Sequence, residues 1–248
     1  MNRRDERLTI VAVHGAWRDG TAWNQVAGHL RRAGHEVHHP TTAGHGPGAQ
    51  PGVTVAEAVD SIVEYVHRHR LHDVVLVGHS LGGLFVSQSA PLLSDRLKTV
   101  VFLAAFVPES GQSVYDTMPV AAQEYFRNAT DEQGFITQDF DRVRNKYLST
   151  LDHASAREAY RQMSLQPAVM FDTPVDQTGF DHLIAGGLSV SYIDLGGDLA
   201  MGPDGWYATF AHRLGPNPRV IRIPTEPHEI TYTNPRAAAC AIVAAARN

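Results

Sequence analysis

The segment Gly78-His79-Ser80-Leu81-Gly82 constrains the fold more than any other part of the chain. It follows an apolar run of β-branched residues and leucine over 73–78, which predicts a buried strand, and it opens a helical pattern over 82–93. Glycine on both sides of the serine lets a strand and a helix approach closely. The segment therefore predicts a strand, a sharp turn with Ser80 at its tip, and a helix.

Strand and helix patterns alternate along most of the chain. Strands are predicted over 8–13, 36–39, 73–78, 97–106, 188–195 and 219–223, and helices over 21–33, 82–93 and 205–214. Thr54 and Glu57 form a capping box before a further helical stripe, and Asn234-Pro235 begins a final helix. This order predicts an α/β fold, with a mostly parallel sheet flanked by helices.

The alternation stops between 107 and 187, where the pattern is mostly helical and rich in aromatic residues. We therefore expect a core formed by 1–107 and 188–248, and an inserted helical cap over 108–187. The single cysteine, Cys240, excludes an internal disulfide and is expected to be a small core residue.

Charge and hydropathy limit which kinds of molecule this protein can bind. The formal net charge is −5 and no long run of Lys or Arg is present, which argues against nucleic acid or an anionic membrane as the main partner. The apolar run over 8–13 is too short for a signal peptide or a membrane span. We expect a cytoplasmic protein with a small-molecule substrate, and the sequence is compatible with a homodimer.

A serine on a strand-to-helix turn is typical of the nucleophile elbow of the α/β-hydrolase fold. Such a serine stands at the carboxyl edge of the sheet, where open α/β folds bind ligands. The oxyanion that forms on attack needs main-chain N–H donors, and we expect them from Leu81 and from Ala16, with Gly15 letting the first loop pass close to the substrate. The alternative is a turn in which Ser80 is a helix N-cap and has no chemical role.

Chain position selects the base and the acid. In this fold the order is serine, acid, histidine, and this order discriminates among the fourteen histidines. His228 follows the last predicted strand and is the expected base. Asp198 follows the strand over 188–195 and is expected to fix the tautomer of that histidine. Asp194, within the strand, and Asp204 are the second and third choices for the acid.

Other histidines receive structural interpretations. His14 precedes the oxyanion loop, and we expect it to be structural rather than a base. His45 lies in a Gly-rich loop, and we expect it to be solvated rather than to border the pocket. His35, His38 and His39 could suggest a metal site, but no cysteine or carboxylate set completes one. We expect no metal and no cofactor.

Several segments together resemble the plant hydroxynitrile-lyase and methylesterase branch of the α/β-hydrolases and its bacterial esterase relatives. The matching segments are His14-Gly15-Ala16-Trp17, Gly78-His79-Ser80-Leu81-Gly82-Gly83, Phe102-Leu103-Ala104-Ala105-Phe106-Val107-Pro108, and Tyr192-Ile193 with Asp198. The resemblance implies a triad of Ser80, Asp198 and His228. It also implies that Ala16 and Leu81 supply the oxyanion donors.

The segment after Pro108 is similar to the helical cap of that family, which covers a small and largely apolar pocket. We expect the pocket lining to include Gly15, Trp17, His79 and Phe106.

Two positions separate the lyases from the esterases of this family. The lyases carry Thr after the histidine of the first loop and Lys after the catalytic histidine, where this chain has Gly15 and Glu229. A carboxylate would repel departing cyanide, so we expect an esterase that cleaves a small carboxylic ester through an acyl-enzyme. The alternatives are a lyase or specialised hydrolase of secondary metabolism, acting on a C–C bond or lactone, and a non-catalytic ligand receptor.

Overall fold

The structure is a computed structural model that describes residues 6–200, 207–216 and 218–247. The strands are β1 (Thr9–Val13), β2 (Glu36–His38), β3 (Val74–His79), β4 (Leu97–Leu103), β5 (Ser189–Leu195) and β6 (Arg219–Ile223). Within the described residues they form one six-stranded sheet in the order β2-β1-β3-β4-β5-β6. Each neighbouring pair is parallel, which confirms the α/β class expected from the alternating pattern.

Helices cover both faces of this sheet. They are α1 (Asn24–Arg32), α2 (Val55–Arg68), α3 (Gly82–Ser89), α10 (Ile230–Thr233) and α11 (Pro235–Ala246), with 3-10 helices at Gly20–Trp23, Pro91–Leu93 and Tyr207–Arg213. Val74 and Leu76 of β3 belong to the hydrophobic cluster under α2 and α3. Val75 and Val77 belong to the cluster under α1 and α11. Because successive strand residues point to opposite faces, a strand covered on both sides is apolar throughout.

The region between β4 and β5 is helical, as its pattern predicts. It contains α4 (Val114–Thr117), α5 (Val120–Asn128), α6 (Phe140–Lys146), α7 (His153–Arg161), α8 (Val169–Asp172) and α9 (Thr178–Ala185). Its buried aromatic residues join the same cluster as α2 and α3, and they include Tyr115, Phe126, Tyr147, Phe171 and Phe180. The division of the chain into a core and a separate cap stays a prediction. In the described part of the chain, no helix has the length and apolar character needed to cross a bilayer.

Several helices and strands are shorter than the sequence predicts. The helix predicted over 82–93 stops at Ser89, before Pro91, since proline lacks the N–H that would continue a helix. The strand predicted over 97–106 stops at Leu103, because Ala104 has a φ of 40°, in the left-handed region. The helix predicted over 205–214 is a 3-10 helix, Tyr207–Arg213, where the structure describes it.

The expectation that Cys240 is a core residue is wrong, because its side chain is exposed. Its helix, α11, packs its buried side chains, among them Ala238, Ala241, Ile242 and Ala245, against the sheet. With 3.6 residues per turn, position 240 falls on the opposite, outward face of that helix. Composition alone did not indicate which face of the Ala-rich helix is buried.

The contribution of the α2 capping box to stability can be tested by mutation. The Thr54 hydroxyl accepts the Glu57 N–H at 3.3 Å, and the Glu57 carboxylate accepts the Thr54 N–H at 2.8 Å. Removing the hydroxyl in Thr54→Ala should lower the free energy of unfolding by about 1 kcal/mol, as measured by chemical denaturation. Thr54→Ser keeps the acceptor and should stay close to the parent protein. Equal losses in the two variants would contradict a capping role.

Candidate active site

Ser80 lies on the turn between β3 and α3 in a backbone conformation that is uncommon for a residue with a side chain. Its φ is 53°, so the surrounding structure must hold it in place. The Ser80 N–H donates to the Leu103 carbonyl at 3.2 Å, and the Ser80 carbonyl accepts the N–H groups of Gly83 and Phe106, each at 3.0 Å. These bonds tie the turn to the end of β4, so the hydroxyl is held at the carboxyl edge of the sheet.

The loop after β1 passes directly against this turn. A Cβ atom added at Gly82 would lie 2.6 Å from the Val13 carbonyl oxygen and 2.7 Å from that of His14. A Cβ atom added at Gly15 would lie 2.9 Å from the Ser80 Cβ. Two glycines therefore permit the approach that brings the backbone around Ala16 next to Ser80.

His228 and Asp198 meet at the same edge of the sheet. Nδ1 of His228 lies 2.6 Å from Oδ2 of Asp198, and both side chains are buried. The loops that carry them are bonded to each other, because the Gly197 N–H donates to the Glu226 carbonyl at 3.2 Å. Burial alone would lower the pKa of His228, but the charge and hydrogen bond of Asp198 outweigh burial and raise it above its usual value.

His79 connects the histidine loop with the serine turn. Its Nε2–H donates to the His228 carbonyl at 2.9 Å, and the two imidazole rings lie 4.9 Å apart between centroids. Burial, followed by the nearby His228, lowers the pKa of His79 to about 4, so the ring is neutral near pH 7. Because His79 is the residue before Ser80, this contact brings the loop of His228 against the turn.

Trp17 joins the β1 loop to the helical region. Its indole N–H donates to the Ile136 carbonyl at 2.7 Å, and its ring packs against Phe126 and Phe171 at 5.4 and 5.7 Å. Phe106, in the loop that follows β4, is also buried. Gly15, His79 and Phe106 thus lie against the serine turn, while Trp17 contacts the helical region, and a pocket lined by these four residues stays a prediction.

The expectation that His45 is solvated is wrong. The side chain is buried, with Nδ1 2.9 Å from the Thr42 hydroxyl and Nε2 3.0 Å from Oε1 of Gln166. The Gly-rich loop folds beneath the helical region, a long-range contact that local composition does not show. His14 belongs to the same network: its Nε2 accepts the Thr42 N–H at 3.1 Å, and its Nδ1 bonds to the Gly15 carbonyl at 2.9 Å.

The other predicted candidates lie elsewhere. Asp194 is buried at the end of β5, where its Oδ2 is 3.5 Å from Nε of Arg222. Asp204 lies outside the described residues. The Leu8 N–H donates to His35, and His38 bonds to Glu36 and Tyr65. In the described ranges, no group of three or more His, Cys, Asp or Glu side chains could hold a metal ion.

A further buried group near His228, the guanidinium of Arg18, was not predicted from the sequence. Its Nε donates to Oε1 of Glu229 at 3.0 Å, its Nη1 donates to the Ala159 carbonyl at 2.7 Å, and it stacks over the Tyr232 ring at 4.5 Å. The sequence places these residues far apart, and no motif marks Arg18. The carboxylate that follows the catalytic-base candidate is therefore paired with a buried cation.

Comparisons with known proteins assign the family. A model described as "Alpha/beta hydrolase family" matches residues 10–241. The chain belongs to the alpha/beta hydrolase family. Its fold agrees with that of an extracellular alpha/beta-hydrolase from a Paenibacillus species, with a TM-score of 0.91 and 31% sequence identity over 97% of this chain and 100% of that one. That protein is described as sharing structural and functional homology with tobacco Salicylic Acid Binding Protein 2.

Curated relatives of this hydrolase match over part of their length. A carbendazim hydrolyzing esterase from Nocardioides sp. (strain SG-4G) is 38% identical over 115 residues, 45% of this chain and 48% of that protein. An alpha-hydroxynitrile lyase from Arabidopsis thaliana is 30% identical over 106 residues, 41% of each chain. The chain thus spans about half the length, or less, of these relatives. Plant methylesterases also match, which confirms the predicted resemblance to this branch.

The close approach at Gly82 can be tested by adding a single methyl group. In Gly82→Ala the new Cβ would meet the Val13 and His14 carbonyl oxygens at 2.6 and 2.7 Å, both parts of the backbone. We expect the free energy of unfolding to fall by about 1–3 kcal/mol, the usual cost of overpacking. Gly52→Ala is the matched control, since nothing lies within 4 Å of its added Cβ. Thermal and chemical denaturation of both variants measure the difference, and equal stabilities would contradict the packing argument.

Proposed function

We propose that this hydrolase is a serine esterase that cleaves small carboxylic esters. Ser80 is the nucleophile, His228 is the base, and Asp198 is the acidic residue that orients the base. The observation that carries the proposal is the buried 2.6 Å contact between His228 and Asp198, on a loop that rests against the residue before Ser80. Relatives named as esterases support the same reaction class.

The His228 tautomer follows from its partner. Because the Nδ1–H of His228 donates a hydrogen bond to the Asp198 carboxylate, Nε2 keeps its lone pair and can take the proton of the Ser80 hydroxyl. The resulting imidazolium is stabilised by the Asp198 carboxylate, since burial leaves little water to screen the two charges. Asp198 itself is held by the Ala200 N–H, which donates to its other oxygen at 2.9 Å.

Catalysis then proceeds in two acyl-transfer steps. Ser80 attacks the ester carbonyl, and the N–H groups of Ala16 and Leu81 hold the oxyanion, a stabilisation worth roughly 2.7–4 kcal/mol for each donor. His228 gives its proton to the leaving alcohol, which departs and leaves an acyl-enzyme. Water, deprotonated by the same histidine, attacks the acyl group and releases the acid and Ser80.

The surroundings favour substrates of modest size with apolar or aromatic groups. Trp17 packs with Phe126, Tyr147 and Phe171 to form an aromatic wall next to the β1 loop. Such a wall excludes water from the reacting atoms and contributes apolar contact to the substrate. No metal or cofactor takes part in the proposed steps. Cytoplasmic location and a homodimeric state remain predictions from the sequence.

Substitution of the nucleophile is the direct test of the mechanism. Ser80→Ala removes the attacking hydroxyl, so p-nitrophenyl acetate turnover should fall by about 10³-fold or more. A fluorophosphonate probe should label the parent protein at Ser80 and leave this variant unlabelled. Ser94→Ala changes an exposed serine and should retain both properties. Turnover that survives Ser80→Ala would rule out this triad, and faster cleavage of mandelonitrile than of esters would favour lyase chemistry.

The pH profile tests the role of the His228–Asp198 pair. The base works only when neutral, so kcat/KM should fall as the pH drops through a midpoint above 6.5, because the charge of Asp198 overcomes burial and raises the pKa of His228. Asp198→Asn should lower both the midpoint and the rate. Asp194→Asn removes a buried carboxylate that pairs with Arg222 instead, and it should shift the midpoint less. Equal shifts in both variants would argue against Asp198 as the partner.

A further inference from the structure

A chain of hydrogen bonds runs from β5 to the serine turn. It starts at Tyr192, whose side chain is fully buried. The Tyr192 hydroxyl donates to the Ala105 carbonyl and accepts the Ala105 N–H, each at 2.9 Å. One side chain of β5 therefore satisfies both main-chain groups of a residue in the loop that follows β4.

This loop has a backbone conformation that needs support. Ala104 has a φ of 40°, in the left-handed region, which a residue with a side chain adopts only when its surroundings enforce it. The Ala104 N–H donates to the Ile193 carbonyl at 2.9 Å. Two successive residues of β5, Tyr192 and Ile193, thus hold two successive residues of the loop, Ala105 and Ala104.

The next link joins the loop to Ser80. The Ala105 carbonyl and the Phe106 N–H belong to one planar peptide unit, and that N–H donates to the Ser80 carbonyl at 3.0 Å. The Ser80 carbonyl in turn shares a peptide unit with the Leu81 N–H, the proposed oxyanion donor. In a trans unit the C=O and N–H groups point in opposite directions, so a bond that fixes this carbonyl also fixes the direction of the Leu81 N–H.

Glycine at position 83 permits the loop to approach α3 closely. A Cβ atom added there would lie 2.5 Å from the Phe106 carbonyl oxygen and 2.7 Å from the Ala105 Cβ. The Gly83 N–H also donates to the Ser80 carbonyl at 3.0 Å. The carbonyl that orients the proposed oxyanion donor is therefore held from two sides, by the loop and by the helix.

The chain of bonds needs a protonated hydroxyl at its start. Burial raises the pKa of Tyr192 well above its usual value, so the hydroxyl stays a donor over the pH range in which a histidine base works. Hydrogen bonds in such a chain polarise one another, and each bond strengthens the donor of the next. The Tyr192 hydroxyl can thus both align and strengthen the Leu81 N–H.

We propose that Tyr192 is a positioning residue for the oxyanion hole. Its hydroxyl acts through the Ala105–Phe106 peptide unit and directs the Leu81 N–H towards the oxyanion that forms when Ser80 attacks. This proposal rests on the proposed esterase function, because it takes Ser80 as the nucleophile. Since Tyr192 acts through the backbone rather than on the substrate itself, its effect should appear in the transition state and not in substrate binding.

Tyr192→Phe removes the hydroxyl and keeps the ring. Loss of one oxyanion donor lowers kcat by about 10²–10³-fold, and a donor that only loses its alignment should keep part of its effect. Acylation and deacylation both pass through an oxyanion, so both steps should slow. We expect kcat for p-nitrophenyl acetate to fall by about tenfold, with KM changed by less than about twofold.

Inhibition by phenyl trifluoromethyl ketone separates donor alignment from general loosening of the site. This ketone forms a hemiketal with a serine nucleophile, and its oxygen occupies the oxyanion position. In Tyr192→Phe its inhibition constant should rise by about the same factor as kcat/KM falls, because both report transition-state stabilisation. The pH midpoint of kcat/KM should stay at the parent value, since the contact between His228 and Asp198 is not part of this chain.

Thr99→Val is the matched control, because it also removes a hydroxyl that joins β4 to β5. The Thr99 hydroxyl donates to the Ser189 carbonyl at 2.8 Å, near the opposite ends of the same two strands. Chemical denaturation should show a loss of stability in this variant. Its kinetic and inhibition constants should equal those of the parent protein.

Parent-like kinetic and inhibition constants in folded Tyr192→Phe would overturn the proposal. A fall in turnover without a matching loss of ketone affinity, or with a shifted pH midpoint, would indicate general loosening and would overturn it as well. Gly83→Ala displaces the Phe106 carbonyl from the helix side and should give the same pattern as Tyr192→Phe. It decides the outcome if Tyr192→Phe does not fold, and parent-like constants there would count equally against the proposal.

Failure of the esterase proposal would give a different result. In that case the parent protein would neither turn over p-nitrophenyl acetate nor be labelled at Ser80 by a fluorophosphonate. Turnover and labelling in the parent protein, together with parent-like constants in Tyr192→Phe, would leave the esterase proposal standing and contradict only the role of Tyr192.

Discussion

The backbone hydrogen bonds that hold Ser80 in its left-handed conformation are the constraint on which the site depends. Residues with side chains adopt a φ near 53° only when their neighbours enforce it, and here β4 and the first turn of α3 do so. The same constraint requires glycine at 82, since α3 begins against the carbonyl oxygens that end β1. A parallel sheet aligns the ends of all its strands at one edge, so the loops after β1, β5 and β6 reach the same turn.

Two buried acid–base pairs surround that turn, and they have different consequences. His228 with Asp198 leaves one ring nitrogen available to move a proton, which is the chemistry that the proposed esterase needs. Arg18 with Glu229 forms a buried ion pair that moves no proton in the proposed reaction. A buried ion pair often costs as much in desolvation as it returns in attraction, but removing one partner alone leaves an uncompensated buried charge.

The helical region between β4 and β5 contributes through contacts that bind it to the core. Ile136 accepts the indole N–H of Trp17, Ala159 accepts from Arg18, and Gln166 bonds to His45. Each contact joins this region to a loop at the carboxyl edge of the sheet. A movement of the helical region would therefore displace the loop after β1, which carries the proposed oxyanion donor Ala16.

The sequence by itself determined the α/β class, the Ser80 turn, and the strand-end positions of Asp198 and His228. These features depend on local patterns: apolar runs for buried strands, glycine for a sharp turn, and a known chain order for the catalytic groups. Tertiary structure alone decided the burial of His45, the exposure of Cys240 and the pairing of Arg18 with Glu229. Each of these depends on which distant segment packs against a residue, and neither periodicity nor composition encodes that choice.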